Sequence, residues 1–248
     1  MGIETIIHDN TLLEIRLSRP GKKNALTLDM YSGLIEQLDA AAASEEINVV
    51  MLSGAGDSFC AGNDIADFLA GGDNPDSLSD VVRFLHTLVD FPKPLLAAVQ
   101  GDAVGIGTTM LLHCDLVIAA DDLRCYLPFT RLGLVPEGGS SLLLPGVLGQ
   151  RKTFELLIEG NPFDAQCAQD AGIVNQIVPR EQLEQTALKR AHALSQLPTE
   201  ALKLSKQLVR DLQREQLHTV IDQEAKLFAE RLASSEARVA FSNFLKAG

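Results

Sequence analysis

The chain has 248 residues, of which 46% are hydrophobic and 22% charged, and carries a formal net charge of −12. That length and balance suit a well-cored globular chain and exclude global disorder, and the acidic surplus argues against nucleic acid or an anionic membrane as partner. Any anionic ligand therefore needs a local basic patch. The four cysteines, Cys60, Cys114, Cys125 and Cys167, form no C-x-x-C pair and stand beside no histidine cluster, so buried thiols in a reducing compartment are expected rather than a metal site or disulfides. The first ten residues are too polar for a signal peptide, and no apolar run approaches the ~18 residues of a membrane span. Cytoplasm is the expected compartment.

In chain order, Ile3 to His8 and Leu12 to Leu17 read as strands about an Asp9-Asn10 turn, and Arg19 to Asn24 as a loop broken by Pro20 and Gly21. Apolar positions Leu26, Met30, Leu34 and Leu38 predict an amphipathic helix from Leu26 to Ala43. Asn48 to Leu52 reads as a buried strand. Phe59 to Phe68 reads as a strand end passing into a helix, Gly71 to Pro75 as the most flexible stretch, and Ser79 to Asp90 as a helix. Pro94 to Val99 and Asp115 to Ala119 read as strands flanking a glycine-rich turn and a helix running through Cys114. Beyond Gln150 the pattern turns helical. Helices are expected at Phe154 to Glu159, Asp164 to Ala171 and Glu181 to Gln196. Another, capped by Thr199, presents Ala201, Leu204, Leu208 and Leu212. Ile221, Ala225, Phe228 and Leu232 form another apolar face, and a last helix carries Val239, Ala240 and Phe244. The alternation predicts an α/β fold with right-handed crossovers.

Three junctions place small residues before a helix: Phe59 to Ile65, Gln100 to Gly107 and Leu132 to Ser141. Backbone N–H groups are unpaired at such points, and two of them converging on one oxygen form an oxyanion hole. The same pattern also serves ordinary tight turns. The five histidines are scattered, and Ser140-Ser141 has no histidine or aspartate placed by sequence to activate a hydroxyl.

Taken together, Arg19-Pro20 with Asn24-Ala25-Leu26, Phe59-Cys60-Ala61-Gly62-Asn63-Asp64-Ile65, Ala98-Val99-Gln100-Gly101-Asp102-Ala103-Val104-Gly105-Ile106-Gly107 and Cys114-Asp115 resemble the crotonase (enoyl-CoA hydratase/isomerase) superfamily, in its order and spacing along essentially the whole chain. The resemblance implies an α/β spiral of repeated β-β-α units forming one domain over residues 1–248, with a core over 1–190 and a helical C-terminal extension over 191–248. It implies an acyl-CoA thioester substrate, no cofactor beyond the coenzyme A of that substrate, no metal, and a homotrimer or dimer of trimers. It places the two oxyanion N–H donors on Asn63 and Ile106. Substrate contacts fall on Lys22, Lys23, Asn24, Ala25, Ala61, Asp64, Ile65, Phe129, Leu132, Phe244 and Lys246, with Lys22 and Lys23 as the local cationic patch for the CoA phosphates.

The two glutamates of the hydratases in that superfamily would fall at Thr109 and Phe129, and neither is a carboxylate. The run Leu132-Gly133-Leu134-Val135-Pro136-Glu137-Gly138 is instead similar to the isomerases that move a 3-double bond to the 2-position, which carry one glutamate there, here Glu137. A single base suffices to take a proton from one carbon and return it to another. To work near neutrality Glu137 needs a pKa of ~6–7, raised by apolar neighbours for which Phe129, Leu132 and Leu134 are the candidates. An enoyl-CoA hydratase, marked by a second carboxylate near Glu137, and a non-catalytic acyl-CoA-binding scaffold are the alternatives.

Overall fold

The strands alternate between two apolar faces. In the run Val49-Val50-Met51-Leu52, Val50 and Leu52 join the larger core, while Val49 and Met51 join a second one on the opposite face. Leu95-Leu96-Ala97-Ala98-Val99 divides in the same way. Such near-continuous apolar strands belong to a parallel sheet covered on both sides. A computed structural model describes residues 2–66 and 78–247, with side chains to Asn243.

The strands are β1 (Ile3–His8), β2 (Leu12–Leu17), β3 (Val49–Gly54), β4 (Leu95–Val99), β5 (Asp102–Val104), β6 (Leu116–Ala120), β7 (Arg124–Tyr126), β8 (Phe163–Asp164) and β9 (Gln176–Val178). The helices are α1 (Leu28–Ala43), α2 (Ser79–Asp90), α3 (Ile106–Thr109), α4 (Ser140–Thr153), α5 (Ala165–Asp170), α6 (Leu183–Ser195), α7 (Thr199–Leu232) and α8 (Ser235–Ala247). One sheet has the order β1-β2-β3-β4-β6-β9, parallel except for the β1–β2 pair, and a smaller one has the order β5-β7-β8. Helix α6 covers one face of the large sheet through Leu183, Ala187 and Ala191, while α1 and α2 pack in the main core on the other. This is the mixed α/β architecture with helical C-terminal segments that the sequence predicts.

The seating of α1 matters for the site, because it carries Tyr31. Lys93 is buried, and its Nζ donates to the carbonyls of Ala41, Ser44 and Ile47 at 2.5, 2.5 and 2.7 Å. It thereby satisfies acceptors that the end of α1 and the following turn leave unpaired. Helix α2 buries Val81, Phe84, Leu85, Leu88 and Val89, a regular apolar stripe.

Several expectations are corrected. Leu26 lies outside α1, because its N–H bonds to the Gly62 carbonyl and pulls it into a bridge with Asn63, leaving Thr27 as the cap. The glycine-rich turn after β4 contains the short strand β5, and the helix expected through Cys114 is an α turn followed by a 3-10 turn at Met110–His113. Phe154–Ile158 is a π turn. Thr199 is the first residue of α7 rather than its cap, and its hydroxyl meets Asn48. The two apolar faces expected between Thr199 and Leu232 lie on one helix of 34 residues. The 71–75 stretch lies outside the described residues. Among the described residues, no helix is long and apolar enough to cross a membrane.

Helix α3 lies so close to the preceding segment that a Cβ on Gly107 would come within 2.4 Å of the Cys60 carbonyl oxygen. Gly107→Ala is therefore expected to destabilise the fold by about 1–3 kcal/mol, read as a lower Tm. An unchanged Tm would show that the approach is slack.

Candidate active site

The loop from Arg19 to Leu26 is pinned to the segment from Ala55 to Asp64 by its own polar groups. Asn24 is fully buried; its Oδ1 accepts from the Arg19 N–H at 2.8 Å, and its Nδ2 donates to the carbonyls of Ala55 and Ser58 at 2.9 and 2.7 Å. Arg19 donates to the Ala25 carbonyl and to Asp64 Oδ2, the latter at 3.0 Å. The Ala61 N–H donates to Lys23 O, the Leu26 N–H to Gly62 O and the Asp64 N–H to Leu26 O. In that ladder Leu26 takes the residues on either side of Asn63, so the Asn63 N–H faces away from it and has no partner among the described residues.

Ile106 opens α3, and its N–H belongs to the first turn, which lacks intrahelical acceptors. Both residues line a cavity of ≈ 450 Å³ together with Lys23, Ala61, Ile65, Phe129 and Leu132. The structure thus brings both expected donors and five of the eleven expected substrate contacts to one cavity. Lys22, Asn24, Ala25 and Asp64 do not line it; Asn24, Ala25 and Asp64 take part in the loop bonds just described. The side chains of Phe244 and Lys246 lie outside the described part. Lys23 shares Asp102 with Arg124 at 2.8 and 2.7 Å, and Arg124, which the sequence reading overlooked, lies beside it in the cavity wall. Burial alone would raise the Asp102 pKa, but these two bonds hold it below its ordinary value.

Glu137 lines an adjoining pocket of ≈ 20 Å³ with Leu78, Val81, Leu85, Ile221 and Ala225, and the two cavities share Asn63 and Phe228. The Thr109 hydroxyl donates to Glu137 Oε1 at 2.5 Å, whereas Oε2 is buried and has no partner among the described residues. Burial, first of all, pushes the Glu137 pKa up to about 8; the Thr109 bond lowers it and the charge of Glu224 raises it. The expected direction holds, but the value is higher and the surroundings differ. Phe129, Leu132 and Leu134 line the larger cavity, while α2 and α7 supply the apolar walls of the pocket around Glu137.

Two further groups act on the site. Tyr31, fully buried on α1 and edge-on to Phe84, donates its hydroxyl to Asn63 Oδ1. His113 must donate from Nε2 to the Gly138 carbonyl, 2.8 Å away, and burial lowers its pKa to about 4. Neither has a sequence motif. The one available hint for each is a polar group at an otherwise apolar position.

In the unfolded chain Glu137 titrates near 4.5, and in the folded protein near 8. Between those values the folded form holds the proton and the unfolded form has lost it, so this group's stabilisation is complete below about 4.5 and is lost as pH rises toward 8. Glu137→Gln has no such proton to lose. Its stability relative to wild type is expected to rise between about pH 5 and pH 8, by on the order of several kcal/mol, read as a Tm difference that moves in its favour with pH. A margin that does not change with pH would rule out the raised pKa.

The sequence model of the Enoyl-CoA hydratase/isomerase family matches residues 8–247. Enoyl-CoA delta isomerase 2 of Homo sapiens is 35% identical over 252 residues, covering 98% of this chain, and the chain spans 64% of the length of that relative. The 1,2-epoxyphenylacetyl-CoA isomerase of Escherichia coli (strain K12) is 36% identical, over 94% of this chain and 92% of that one. The crystal structure of an enoyl-CoA hydratase/isomerase from Pseudoalteromonas atlantica T6c matches with a TM-score of 0.93 at 36% identity, over 100% of this chain and 98% of that chain. The resemblance first carried by the motifs thus extends through the backbone, and the chain belongs to the enoyl-CoA hydratase/isomerase family of the crotonase superfamily.

Proposed function

We propose that the protein is an enoyl-CoA isomerase that moves a 3-double bond to the 2-position of an acyl-CoA thioester. The observation that carries this reading is the buried Glu137, with one oxygen unpartnered, in a pocket that shares Asn63 with the larger cavity. Glu137 takes the C2 proton of the 3-enoyl thioester, and the electron pair moves to the thioester oxygen, giving a dienolate. That oxygen accepts from the N–H groups of Asn63 and Ile106, each donor contributing roughly 2.7–4 kcal/mol to the transition state. Protonated Glu137 then delivers its proton to C4, and the double bond comes to rest at C2–C3. Lys23 and Arg124 at the cavity wall supply the cationic contact for the CoA phosphates.

The structure also bears on the hydratase alternative. A second buried carboxylate does lie near Glu137, namely Glu224. Both of its oxygens accept from main-chain amides, Gly139 N–H at 2.6 Å and Ser141 N–H at 3.0 Å, and it lines neither cavity. It cannot position a water or protonate a substrate carbon from there. Thr109 stands where the hydratases of the superfamily would carry a glutamate, and it holds Glu137 instead.

With 3-hexenoyl-CoA as substrate, the isomerisation rate is expected to exceed hydration of 2-hexenoyl-CoA. Glu137→Gln, confirmed as folded by its melt, is expected to lose ~10²–10⁴ of the isomerisation rate while still binding CoA. Isomerase activity within about threefold of wild type in that variant, set against this ~10² minimum loss, would remove Glu137 from the role, and a hydration rate that matches isomerisation in the wild type would remove the function.

We also propose that the protein assembles as a homotrimer or a dimer of trimers. Leu204, Leu208, Val209 and Leu212 on the first half of α7 are 57%, 77%, 79% and 91% exposed, an apolar stripe that the chain itself does not cover. Light scattering at micromolar concentration is expected to give a multiple of three chain masses. A monomer there would overturn the assembly.

A further inference from the structure

We infer that Glu224 is a positioning residue for Glu137, fixing the backbone that follows the base and placing a negative charge beside it. This rests on the reading of Glu137 as the base. The turn after Glu137 runs through Gly138 and Gly139, both with φ of 71°. A Cβ on Gly139 would meet Leu217 Cδ1 at 2.3 Å, so α7 is packed directly against the turn. Left to itself a two-glycine turn is the least ordered backbone available. Here its polar atoms are taken from three sides. Ser140 bonds to the Glu137 carbonyl through Oγ at 2.6 Å, His113 holds the Gly138 carbonyl, and Glu224 receives the Gly139 and Ser141 N–H groups. Burial raises the Glu224 pKa, and the two amides donating to its two oxygens, with the N-terminus of α4 that begins at Ser140, oppose that shift and favour the ionised form.

Glu224 interrupts a stripe of otherwise apolar buried residues on α7: Leu217, Ile221 and Phe228. A glutamate in that stripe costs desolvation, and its two bonds to the turn are what it gains in return. The other titratable groups around the base are held neutral or paired with partners of their own. Tyr31 and Cys60 are kept protonated by burial, and His113 is neutral. Thr109 is uncharged. On α2, Arg83 pairs with Asp39 and His86 with Asp222. On α7, His218 meets Asp90 and His86. Among the described residues, Glu224 is the one charged side chain that raises the Glu137 pKa.

The test is a direct titration of Glu137 by carboxyl ¹³C NMR on the intact protein, with Glu137→Gln to assign the signal, together with the pH profile of kcat/KM. Glu224→Gln removes the charge, so the Glu137 midpoint and the acid limb of the profile are both expected to move to lower pH. Glu224→Asp keeps the charge but is one methylene shorter. It is expected to leave the midpoint near that of wild type and to lower kcat by about 10- to 100-fold with little change in KM, as misplacement of a catalytic group does. A purely structural Glu224 would lower the Tm of both variants without moving the midpoint. An unmoved midpoint in folded Glu224→Gln overturns the inference; should that variant not fold, unchanged kcat in Glu224→Asp does so. If the wild type proves inactive as an isomerase while the midpoint still moves with Glu224→Gln, the proposed function fails and the role of Glu224 toward Glu137 stands.

Discussion

Four main-chain bonds hold the site together. Phe59 N–H donates to Gln100 O, Cys60 N–H to Asp102 O and Val104 N–H to Cys60 O, and Ala61 N–H reaches back to Lys23 O. They tie three segments distant in sequence into one patch of irregular ladder. The donors at Asn63 and Ile106 each lie two residues beyond its ends at Ala61 and Val104, so their placement is inherited from backbone pairing rather than from side chains. Gly107 belongs to the same constraint, because only a residue without a Cβ lets α3 approach the Cys60 carbonyl. Since the donors are backbone N–H groups, they can survive side-chain change as long as this pairing does.

Against that frame the protein sets a carboxyl group that it has made difficult to ionise. Desolvation dominates the environment of Glu137, and the single hydroxyl of Thr109 offsets only part of it. The polar groups nearby are spent elsewhere: His113 on the Gly138 carbonyl, Glu224 on the Gly139 and Ser141 amides, and Tyr31 on the Asn63 side chain. Oε2 of Glu137 is left without a protein partner among the described residues. In the proposed role of base, a carboxyl group arranged in this way gains strength from desolvation and loses none of it to competing donors at that oxygen.

Helix α7 divides its residues between two tasks. Its second half buries Leu217, Ile221, Glu224 and Phe228, with Ile221 lining the pocket of Glu137 and Phe228 lining both cavities, while its first half leaves leucines in the open. The C-terminal segment therefore completes the site at one end and offers an apolar face at the other. A continuous helix couples the two rigidly, without a hinge residue between them.

The sequence by itself determined the local periodicities, and with them β1, β2 and α2 to the residue, because alternation and the 3.6-residue stripe are written in side chains adjacent along the chain. It also carried the ordered motifs around Asn63, Ile106 and Glu137, and hence the family. Only the tertiary structure decided what surrounds Glu137. The walls come from α2 and α7 rather than from Phe129, Leu132 and Leu134, and Glu224 lies 87 positions along the chain from the base it faces. It also decided that Lys23 shares a carboxylate with Arg124, that the two apolar faces between Thr199 and Leu232 lie on one long helix, and that Leu26 leaves its helix for a bridge. Each of these depends on contacts between residues far apart in sequence, and a carboxyl group's pKa is set by what is packed around it, which no local pattern records.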